Sequence, residues 1–409
     1  PVKLIQTHIS VVLLGKDRVL KLKKPVDFGF LDYSTVEKRQ VACEREVELN
    51  IRLCRDAYLG VAALEETEQG FSLSEETTVW DYAVMMKRLP DNRMLDAMVR
   101  EGTIQESHIA RIAERLSTFH KVAKRGPEVS RGGRVKTIRY NWTENFEQTK
   151  PYIGRTLTSD DFAAIEKWAN SWIDNNKELF RKRVLDGHIC DGHGDLRCES
   201  VCVTNGICIF DCIEFNKRFR YGDVANEVAF LAMDLEAYGR PDLGYFFCDR
   251  YIEESGDEEI LDLLPFYRCY RAYVRGKVLS FQLDEAEMEA GQKTDAALRA
   301  RSYFEIALRC TAGRPPVPTV IVVSGLSGTG KTTIARAVAG EFGCRVVSSD
   351  IVRRLLFGEN DEAAEYGTGK YSEEANRRTY DRRIEEGFDR LSRNGLVNRD
   401  ATVQREVDC

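Results

Sequence analysis

Apolar and polar residues alternate with a period of two in the first part of the chain, which is the pattern of half-buried β-strands. Two such runs, residues 9–15 and 18–24, flank a Lys16-Asp17 turn and predict a β-hairpin. Residues 79–86 predict a further strand. The chain is therefore expected to begin with a small β-rich lobe, over about residues 1–90.

Helical periodicity dominates the next part of the chain. An early helix is predicted over residues 35–54, with Ser34 as its N-cap and Glu37 as the capping-box partner. The later predicted helices are residues 104–122, 159–181, 224–237, 261–279 and 284–309. One β-rich insert, residues 201–215, interrupts them. These elements predict an α+β unit over residues 1–310, whose helical lobe covers about residues 91–310.

A second unit follows a proline-rich connector. Residues 311–318 contain three prolines and a glycine, which cannot continue a helix and favour an extended linker. A short β-branched strand then begins, further strands are predicted near residues 346–350 and 396–402, and a helix is predicted over residues 332–341. This alternation predicts an α/β domain with a parallel sheet over residues 319–409.

Composition narrows the classes of function. The formal net charge is −6 and the pI about 5.7, which argues against a nucleic-acid partner. No apolar run is long enough for a membrane helix, and the first residues lack a signal-peptide layout. We therefore expect a cytoplasmic protein whose 12 cysteines are reduced, including the cluster Cys198, Cys202, Cys208 and Cys212.

The clearest chemical motif is GLSGTGKT, which fits the phosphate-binding P-loop at every fixed position. It lies between a predicted strand and a predicted helix, as this motif requires. Its glycines allow backbone N–H groups to surround phosphate oxygens, Lys331 would reach the β/γ-phosphates, and Thr332 would ligate Mg²⁺. The predicted nucleotide-binding set is Gly325, Ser327, Gly328, Thr329, Gly330, Lys331, Thr332 and Thr333.

Beyond the P-loop, a strand predicted to end in Ser349-Asp350 would place Asp350 at the phosphate-binding edge of the sheet. This arrangement resembles the small-molecule kinases of the P-loop class, such as gluconate kinase, chloramphenicol phosphotransferase and the zeta-toxin kinases. The resemblance implies that Asp350 contacts the substrate, with Arg353 as a further substrate-binding candidate. About 90 residues follow the linker, fewer than such a domain usually has, so we expect an incomplete P-loop domain in this sequence.

A second constellation lies in the first unit. HGDLR at 193–197 places Asp195 in a short polar loop, and FDCIEF then carries Asp211 and Glu214. Upstream, Lys21 and Lys23 share one face of a strand, and Glu46 lies in the next helix. A proton-accepting Asp, a metal-binding Asp and a strand lysine paired with a helix glutamate form the layout of protein-kinase-like phosphoryl transfer.

On these motifs, residues 1–310 resemble the aminoglycoside-phosphotransferase-like family, which has a protein-kinase-like bilobal fold. The whole chain resembles a bacterial group of bifunctional aminoglycoside phosphotransferase/ATP-binding proteins. LKKPVDFGFLDYST, FDCIEFNKRFRYGDVA and FYRCYRAYVRGKV resemble that group.

The resemblance implies a role for each matching residue. Asp195 would be the catalytic base, with His193 and Arg197 in the same motif and His193 bracing the loop. Asp211 would bind Mg²⁺ and Glu214 would assist it. Ser200 stands where the family has an Asn that binds a second metal ion. The implied nucleotide-binding residues are Lys23 with Lys21 as its rival, Glu46 to orient the lysine, and Met85, Met86 and Lys87 in the hinge that contacts adenine.

Arginines supply candidates for binding the phosphate acceptor. Arg268, Arg271 and Arg275 recur at helical spacing and share one face, and Arg218 and Arg220 follow the metal-binding segment. If they bind substrate, the acceptor is anionic. The alternative is a solvated face that pairs with the acidic residues 253–259.

The sequence therefore predicts a kinase that uses ATP, or alternatively GTP, with Mg²⁺ to phosphorylate a hydroxyl of a small molecule. A second nucleotide site would lie in the P-loop domain. One alternative is a regulatory nucleotide-binding protein in which one or both sites are non-catalytic. Another is a kinase of polynucleotide ends, which the acidic balance disfavours.

Overall fold

The structure is a computed structural model of the 409-residue chain. It describes all residues except 1, 8, 28, 30, 69, 74–78, 286–287, 313–318, 326–328, 332, 336–337, 339–345, 359–368, 370–371, 395 and 403–409. For residues 319, 346, 350–351, 354–355, 386–394 and 396–402 it describes the backbone alone.

An antiparallel sheet of six strands forms the first lobe, in the order β1-β2-β3-β6-β4-β5. Its strands are β1 Lys3–Gln6, β2 Ser10–Leu14, β3 Arg18–Lys23, β4 Tyr58–Thr67, β5 Gly70–Leu73 and β6 Asp81–Lys87. The predicted hairpin is confirmed as β2 and β3, in which Leu14 pairs with Val19. Helix α1, Val36–Asn50, lies between β3 and β4 in the chain and packs on β6 and β4.

The start of α1 differs from the prediction. Thr35, not Ser34, is the N-cap, because the Thr35 side chain accepts a hydrogen bond from the backbone N–H of Lys38 at 3.3 Å. The Ser34 hydroxyl instead donates to Asp32 at 2.6 Å. The helix therefore begins one residue later than a Ser34 cap would set it.

Helices build the second lobe. They are α2 Leu95–Arg100, α3 Glu106–Val122, α4 Pro127–Ser130, α5 Val135–Thr149, α6 Ser159–Asn175, α7 Lys177–Leu185, α8 Lys217–Arg220, α9 Val224–Ala237, α10 Pro241–Ser255, α11 Ile260–Phe281 and α12 Ala290–Thr311. Two small antiparallel pairs lie among them, β7 Ile189–Asp191 with β10 Tyr221–Asp223, and β8 Val201–Val203 with β9 Ile207–Ile209.

The core of this lobe lies around α9 and α11. Eleven of the 14 residues of α9 are buried, and α11 packs against both α9 and α12. Aromatic rings from several helices meet there, with the centroids of Trp172 and Phe266 4.3 Å apart. This packing fixes the helices that carry and surround the candidate site.

Two helix predictions were wrong in their bounds. The single helix predicted over 159–181 is interrupted at Asn176, whose side-chain amide donates to the carbonyl of Trp172 at 2.8 Å. A helix predicted from residue 284 begins instead at Ala290. None of the described helices is long and apolar enough to cross a membrane.

The cysteine prediction also needs correction. Cys54, which follows α1, forms a disulfide with Cys208 of β9, because the two chain segments pack side by side in one apolar cluster. Cys198, Cys202 and Cys212 are buried free thiols, as expected.

After residue 318 the structure has three parallel strands in the order β11-β13-β12. They are β11 Thr319–Gly325, β12 Val346–Ser348 and β13 Leu396–Thr402. Ser349 and Asp350 begin the helix Ser349–Phe357 rather than ending the second strand, which corrects the prediction for this segment. A further helix spans Glu373–Asn394.

Candidate active site

The HGDLR loop follows β7, and two glycines allow its close packing. A Cβ atom on Gly192 would lie 2.3 Å from Oε1 of Glu227, and Gly194 has a φ of +88°, in the left-handed region that favours glycine. Only residues without a side chain fit both positions. The loop therefore turns sharply between β7 and Asp195.

Glu227, on α9, holds this loop through its backbone. Its Oε1 accepts hydrogen bonds from the N–H groups of His193 and, at 2.6 Å, of Gly194. Its Oε2 lies 2.9 Å from Nε2 of His120, whose Nδ1 lies 2.7 Å from the Tyr251 hydroxyl. Burial raises the pKa of Glu227, but the hydrogen bond and charge of His120 outweigh it and lower the pKa to about 2.

His193 braces the loop from inside. Its ring is fully buried, its Nδ1 accepts from the Asp195 N–H at 3.3 Å, and its Nε2 lies 2.9 Å from the Phe210 carbonyl. These contacts assign the proton to Nε2, which donates to Phe210. Burial lowers the pKa of His193, so the ring is neutral at neutral pH. This is the bracing role predicted for His193.

Asp195 is the carboxylate that the loop presents. Its side chain is 27% exposed, and its Oδ2 accepts from Nε of Arg197 at 3.1 Å. Burial raises the pKa of Asp195, but the charges of Arg197 and Arg275 outweigh that effect, and the net pKa lies below the ordinary value. The carboxylate is therefore ionised at neutral pH and can accept a proton or a hydrogen bond.

Lys21 joins the two lobes. Its Nζ donates to Glu46 of α1 at 2.9 Å and to Asp211 at 2.6 Å. Burial lowers the pKa of Lys21, but the charges of Asp211 and Glu46 raise it well above the ordinary value. This lysine, which the sequence ranked second, is the one that contacts both Glu46 and Asp211.

Lys23 occupies a closed environment. Its side chain is 0% exposed and is paired with Glu46 and Glu214, and Glu214 also accepts from the Tyr33 hydroxyl at 2.6 Å. Burial raises the pKa of Glu214, but the charge of Lys23 outweighs it and the pKa is lowered. Lys23 and Glu214 therefore form a buried ion pair behind Lys21.

Asp211 has the features of a metal ligand. Its side chain is 51% exposed, its φ of +64° lies in the left-handed region, and its N–H donates to the Tyr58 hydroxyl at 3.3 Å. The Lys21 charge holds the pKa of Asp211 well below its usual range. A carboxylate of this kind fits Mg²⁺, which is commonly held by one or two carboxylates together with substrate phosphates and water.

The two other predicted metal ligands point elsewhere. Ser200 is 3% exposed, and its hydroxyl accepts from the Arg197 N–H at 2.9 Å and donates to the Arg197 carbonyl at 2.8 Å. Glu214 is held by Lys23 and Tyr33. Both side chains therefore stabilise the loops beside the site, and Asp211 is the carboxylate of this set that remains exposed.

The predicted hinge is the end of β6. Met86 pairs with both Val19 and Tyr58, so it lies in the middle of the sheet, and Met85 and Met86 are half-buried. Lys87 is exposed, and its N–H donates to the Ala57 carbonyl at 2.7 Å. This segment connects the sheet to the helical lobe.

The candidate arginines fall into two groups. Arg220 is paired with Asp191 at 2.7 Å and Arg268 with Glu236, and both stabilise the interior. Arg218 pairs with Glu144 at 2.7 Å at the surface. Arg271 donates to the Gly194 carbonyl at 2.9 Å, and Arg275 makes no ion pair with any described residue. The charge of Arg275 acts on Asp195, and the Arg220 carbonyl also accepts from the Gly192 N–H at 3.0 Å.

The P-loop is described in part. Gly325, at the end of β11, has a φ of +154°, and Gly330 has one of +82°, conformations that favour glycine. Residues 331 and 333–335 are helical, so Lys331 and Thr333 lie at a helix start. Ser327, Gly328 and Thr332 lie outside the described residues, as does the side chain of Asp350. Arg353 is buried, and its Nη2 donates to Asn376 at 3.0 Å.

Glu227, Tyr58 and Tyr33 were not predicted as site residues. Glu227 could have been found from its place in the DVANEVA segment at the start of α9, four residues after Asp223. The two tyrosines carry no comparable signal, because only the folded sheet brings them to Asp211 and Glu214.

Comparison with known proteins finds a matching domain model and related chains. An AAA domain model matches residues 320–407. The chain is 36% identical over 352 residues to the uncharacterized protein Rv2004c of Mycobacterium tuberculosis, which covers 86% of this chain and 68% of that protein. The uncharacterized protein Mb2027c of Mycobacterium bovis matches with the same values.

Solved structures resemble the first three quarters of the chain. A choline/ethanolamine kinase family protein from Mesorhizobium loti has a TM-score of 0.43 at 11% identity, covering 76% of this chain and 92% of its own. A putative aminoglycoside phosphotransferase from Ralstonia eutropha has a TM-score of 0.41 at 14% identity, covering 76% and 93%. Likenesses at this level identify neither an activity nor a substrate.

The AAA domain match falls on the part of the chain in which the P-loop domain was predicted. The chain belongs to the family of the mycobacterial proteins Rv2004c and Mb2027c.

Proposed function

We propose that this protein is an ATP- and Mg²⁺-dependent phosphotransferase that acts on a hydroxyl group of a small molecule. The observation that carries the proposal is the position of Lys21, whose Nζ contacts both Glu46 and Asp211. A lysine held by a helix glutamate beside an exposed aspartate is the arrangement that kinases use to bind nucleotide phosphates.

Each residue of the site has its own proposed role in phosphoryl transfer. Asp195 accepts the hydrogen bond and then the proton of the attacking hydroxyl, because it is ionised and partly exposed. Lys21, rather than Lys23, binds the nucleotide phosphates, since Lys23 is fully buried. Arg197, two residues after Asp195, places a positive charge where the transferred phosphoryl group passes.

Asp211 would hold the Mg²⁺ that accompanies the nucleotide. When bound, the ion neutralises charge on the phosphate oxygens. Because Ser200 and Glu214 point away from this position, we propose that one metal ion suffices and that phosphates and water complete its coordination. Met85, Met86 and Lys87 would contact the adenine.

The P-loop forms a second nucleotide site in this proposal. Lys331 and the backbone N–H groups of the loop would bind the β- and γ-phosphates of ATP or GTP, with Thr332 on Mg²⁺. Asp350 and Arg353 would face its substrate. The AAA domain match over residues 320–407 supports a nucleotide-binding role for this part of the chain.

One observation favours a second candidate, a nucleotide-binding regulator without chemistry at the Asp195 site. Ser200 replaces the expected Asn and is used as a backbone cap, so a second metal ligand is lost. A site with weaker metal binding can retain nucleotide and turn it over slowly or not at all. Turnover therefore has to be measured apart from binding.

The decisive experiment is transfer of labelled γ-phosphate from ATP into a metabolite extract. It compares the wild type with Asp195→Asn and Lys331→Ala, and uses Asp160→Asn, an exposed aspartate on α6, as the matched control. Product lost in Asp195→Asn and kept in Asp160→Asn supports the proposal. Nucleotide binding without labelled product in the wild type contradicts it and favours the regulator.

A further inference from the structure

An open groove lies between α5, the segment 218–226 and α11. Aromatic side chains, among them Trp142, Phe219 and Tyr270, form much of its wall. Arg218 and Arg271 also line it. The groove therefore combines flat apolar surfaces with two guanidinium groups, and Asp223, whose carboxylate is paired with Arg183, also lines it.

Arg271 is a buried cation without an ion-pair partner among the described residues. It is 7% exposed; its Nε donates to Asn226 at 2.7 Å and its Nη1 to the Gly194 carbonyl at 2.9 Å. Its guanidinium carbon lies 4.4 Å from the centroid of the Phe230 ring. Its Nη2 donates to none of the described residues. Guanidinium stays protonated in proteins, so a full positive charge is in direct contact with neutral groups there, while the carboxylates of Glu227 and Asp195 act on it without forming an ion pair.

Two other buried arginines of this lobe form ion pairs with carboxylates. Arg183 is fully buried and pairs with Asp223 at 2.7 Å and with Asp257 at 2.5 Å. Arg220 pairs with Asp191. Burial of an unpaired charge is costly, so the fold supplies a carboxylate in these places. At Arg271 the fold supplies none, and the neighbouring space is open groove.

The groove lies close to the reacting group. Arg271 contacts the carbonyl of Gly194, the residue before Asp195. Arg275 is four residues further along α11, one helical turn, and its charge acts on Asp195. Arg271 therefore connects the wall of the groove to the loop that carries Asp195.

We propose that this groove binds the anionic group of the phosphate acceptor, with Arg271 as the central donor and Arg218 at the rim. The acceptor is then a hydroxylated carboxylate or phosphate ester with a flat or apolar part that packs on Tyr270, and not a polyamine sugar. This inference rests on the proposed function for the direction of transfer, but anion binding in the groove is independent of turnover.

The first test offers acceptors sorted by charge. A bacterial metabolite extract is separated on ion-exchange resins into anionic, neutral and cationic fractions, and each is incubated with the full chain and labelled ATP. We expect labelled product from the anionic fraction. Treating that fraction with phosphatase beforehand distinguishes the two sources: product is lost if the anion is a phosphate ester and kept if it is a carboxylate.

Variants test the groove itself. Arg218→Glu reverses the rim charge, and because Arg218 is also paired with Glu144 at 2.7 Å, the folding of the variant is checked by its denaturant midpoint. We expect the KM for anionic acceptors to rise about tenfold or more, since a hydrogen bond to a charged group contributes roughly 1.5–3 kcal/mol. The matched control is Arg139→Gln, which removes a cation from the face of α5 that contacts Asn170 and Asp174.

A binding experiment tests this inference independently of the proposed function. Sulfate is titrated into the chain with ADP and Mg²⁺ saturating both nucleotide sites, for the wild type, Arg271→Gln, Arg218→Glu and Arg139→Gln. Sulfate binding that is lost in the first two variants supports the inference even if no acceptor is phosphorylated. Equal sulfate binding in all four proteins, or product from only the neutral or cationic fraction, overturns it.

Discussion

The Oε1 atom of Glu227 lies 2.6 Å from the backbone nitrogen of Gly194, the residue before Asp195. The same carboxylate accepts from the N–H of His193, so two consecutive backbone donors of the loop converge on one acceptor. Glu227 belongs to the buried helix α9. The position of the candidate base is thus set by the core of the helical lobe, not by the loop alone.

Replacing Glu227 with Gln is expected to destabilise the helical lobe. The pKa of Glu227 is about 2, below the ordinary value of 4.5, so its stabilising contribution is present above about pH 4.5 and is lost as the pH falls towards 2. A difference of this size corresponds to about 3 kcal/mol. Denaturant unfolding at pH 7 and pH 3 measures it. A Glu227→Gln variant as stable as the wild type at pH 7 would contradict the stabilising role of Glu227.

Replacing Lys21 with Met is expected to lower mainly activity, whereas replacing Lys23 with Met is expected to lower mainly stability. Lys21→Met removes the cation that faces Asp211, so we expect kcat/KM for ATP to fall roughly 100-fold, with a smaller loss of stability than in Lys23→Met because the buried Glu46 keeps Lys23 as its partner. Lys23→Met leaves Glu46 and Glu214 buried without their common partner, and we expect a loss of about 3–5 kcal/mol in stability. Steady-state kinetics and denaturant midpoints of both variants decide. The reverse pattern would restore Lys23 as the phosphate-binding lysine.

Arg197→Gln is expected to move the acid limb of the pH–activity profile upwards. Burial raises the pKa of Asp195, and the charges of Arg197 and Arg275 bring it below the ordinary value. Without Arg197 the pKa rises, and a protonated Asp195 cannot accept the hydroxyl proton. Activity should therefore fall more at the acid end of the profile than at its alkaline end. If the pH profile of kcat/KM for Arg197→Gln is lower than that of the wild type but has the same shape, Arg197 does not set the pKa of Asp195.

The sequence was sufficient for the elements with strong local signals. The β2–β3 hairpin and helix α9 lie where the pattern predicted them, because alternation and periodicity are properties of short windows. Helices α5 and α10 were not predicted, since polar residues are spread through both and obscure the apolar face. Thr35, and not its neighbour Ser34, is the N-cap of α1. Which of the two residues caps the helix depends on backbone dihedral angles that the sequence does not fix.

Motifs in the sequence identified residues of the candidate site, but they did not predict which other residues each of them contacts. Asp195, Glu46 and Asp211 were identified from spacing. The ranking of Lys21 against Lys23 depended on which of two side chains reaches the cleft, and both have the same strand parity. Two of the carboxylates that surround them, Asp211 and Glu214, are 190 and 191 positions away in the chain. Contacts of that separation arise only when the two lobes are assembled.

Two nucleotide sites on one chain predict a binding stoichiometry. We expect the wild type to bind two molecules of a non-hydrolysable ATP analogue in the presence of Mg²⁺, and Lys331→Ala and Lys21→Met each to bind one. The two lysines belong to sites formed by separate strands, β11 and β3, so the remaining site of each variant should keep its affinity within about threefold. Isothermal titration calorimetry measures both quantities. A loss of both sites in either single variant would mean that the two sites are coupled, and a stoichiometry of one in the wild type would remove one of them.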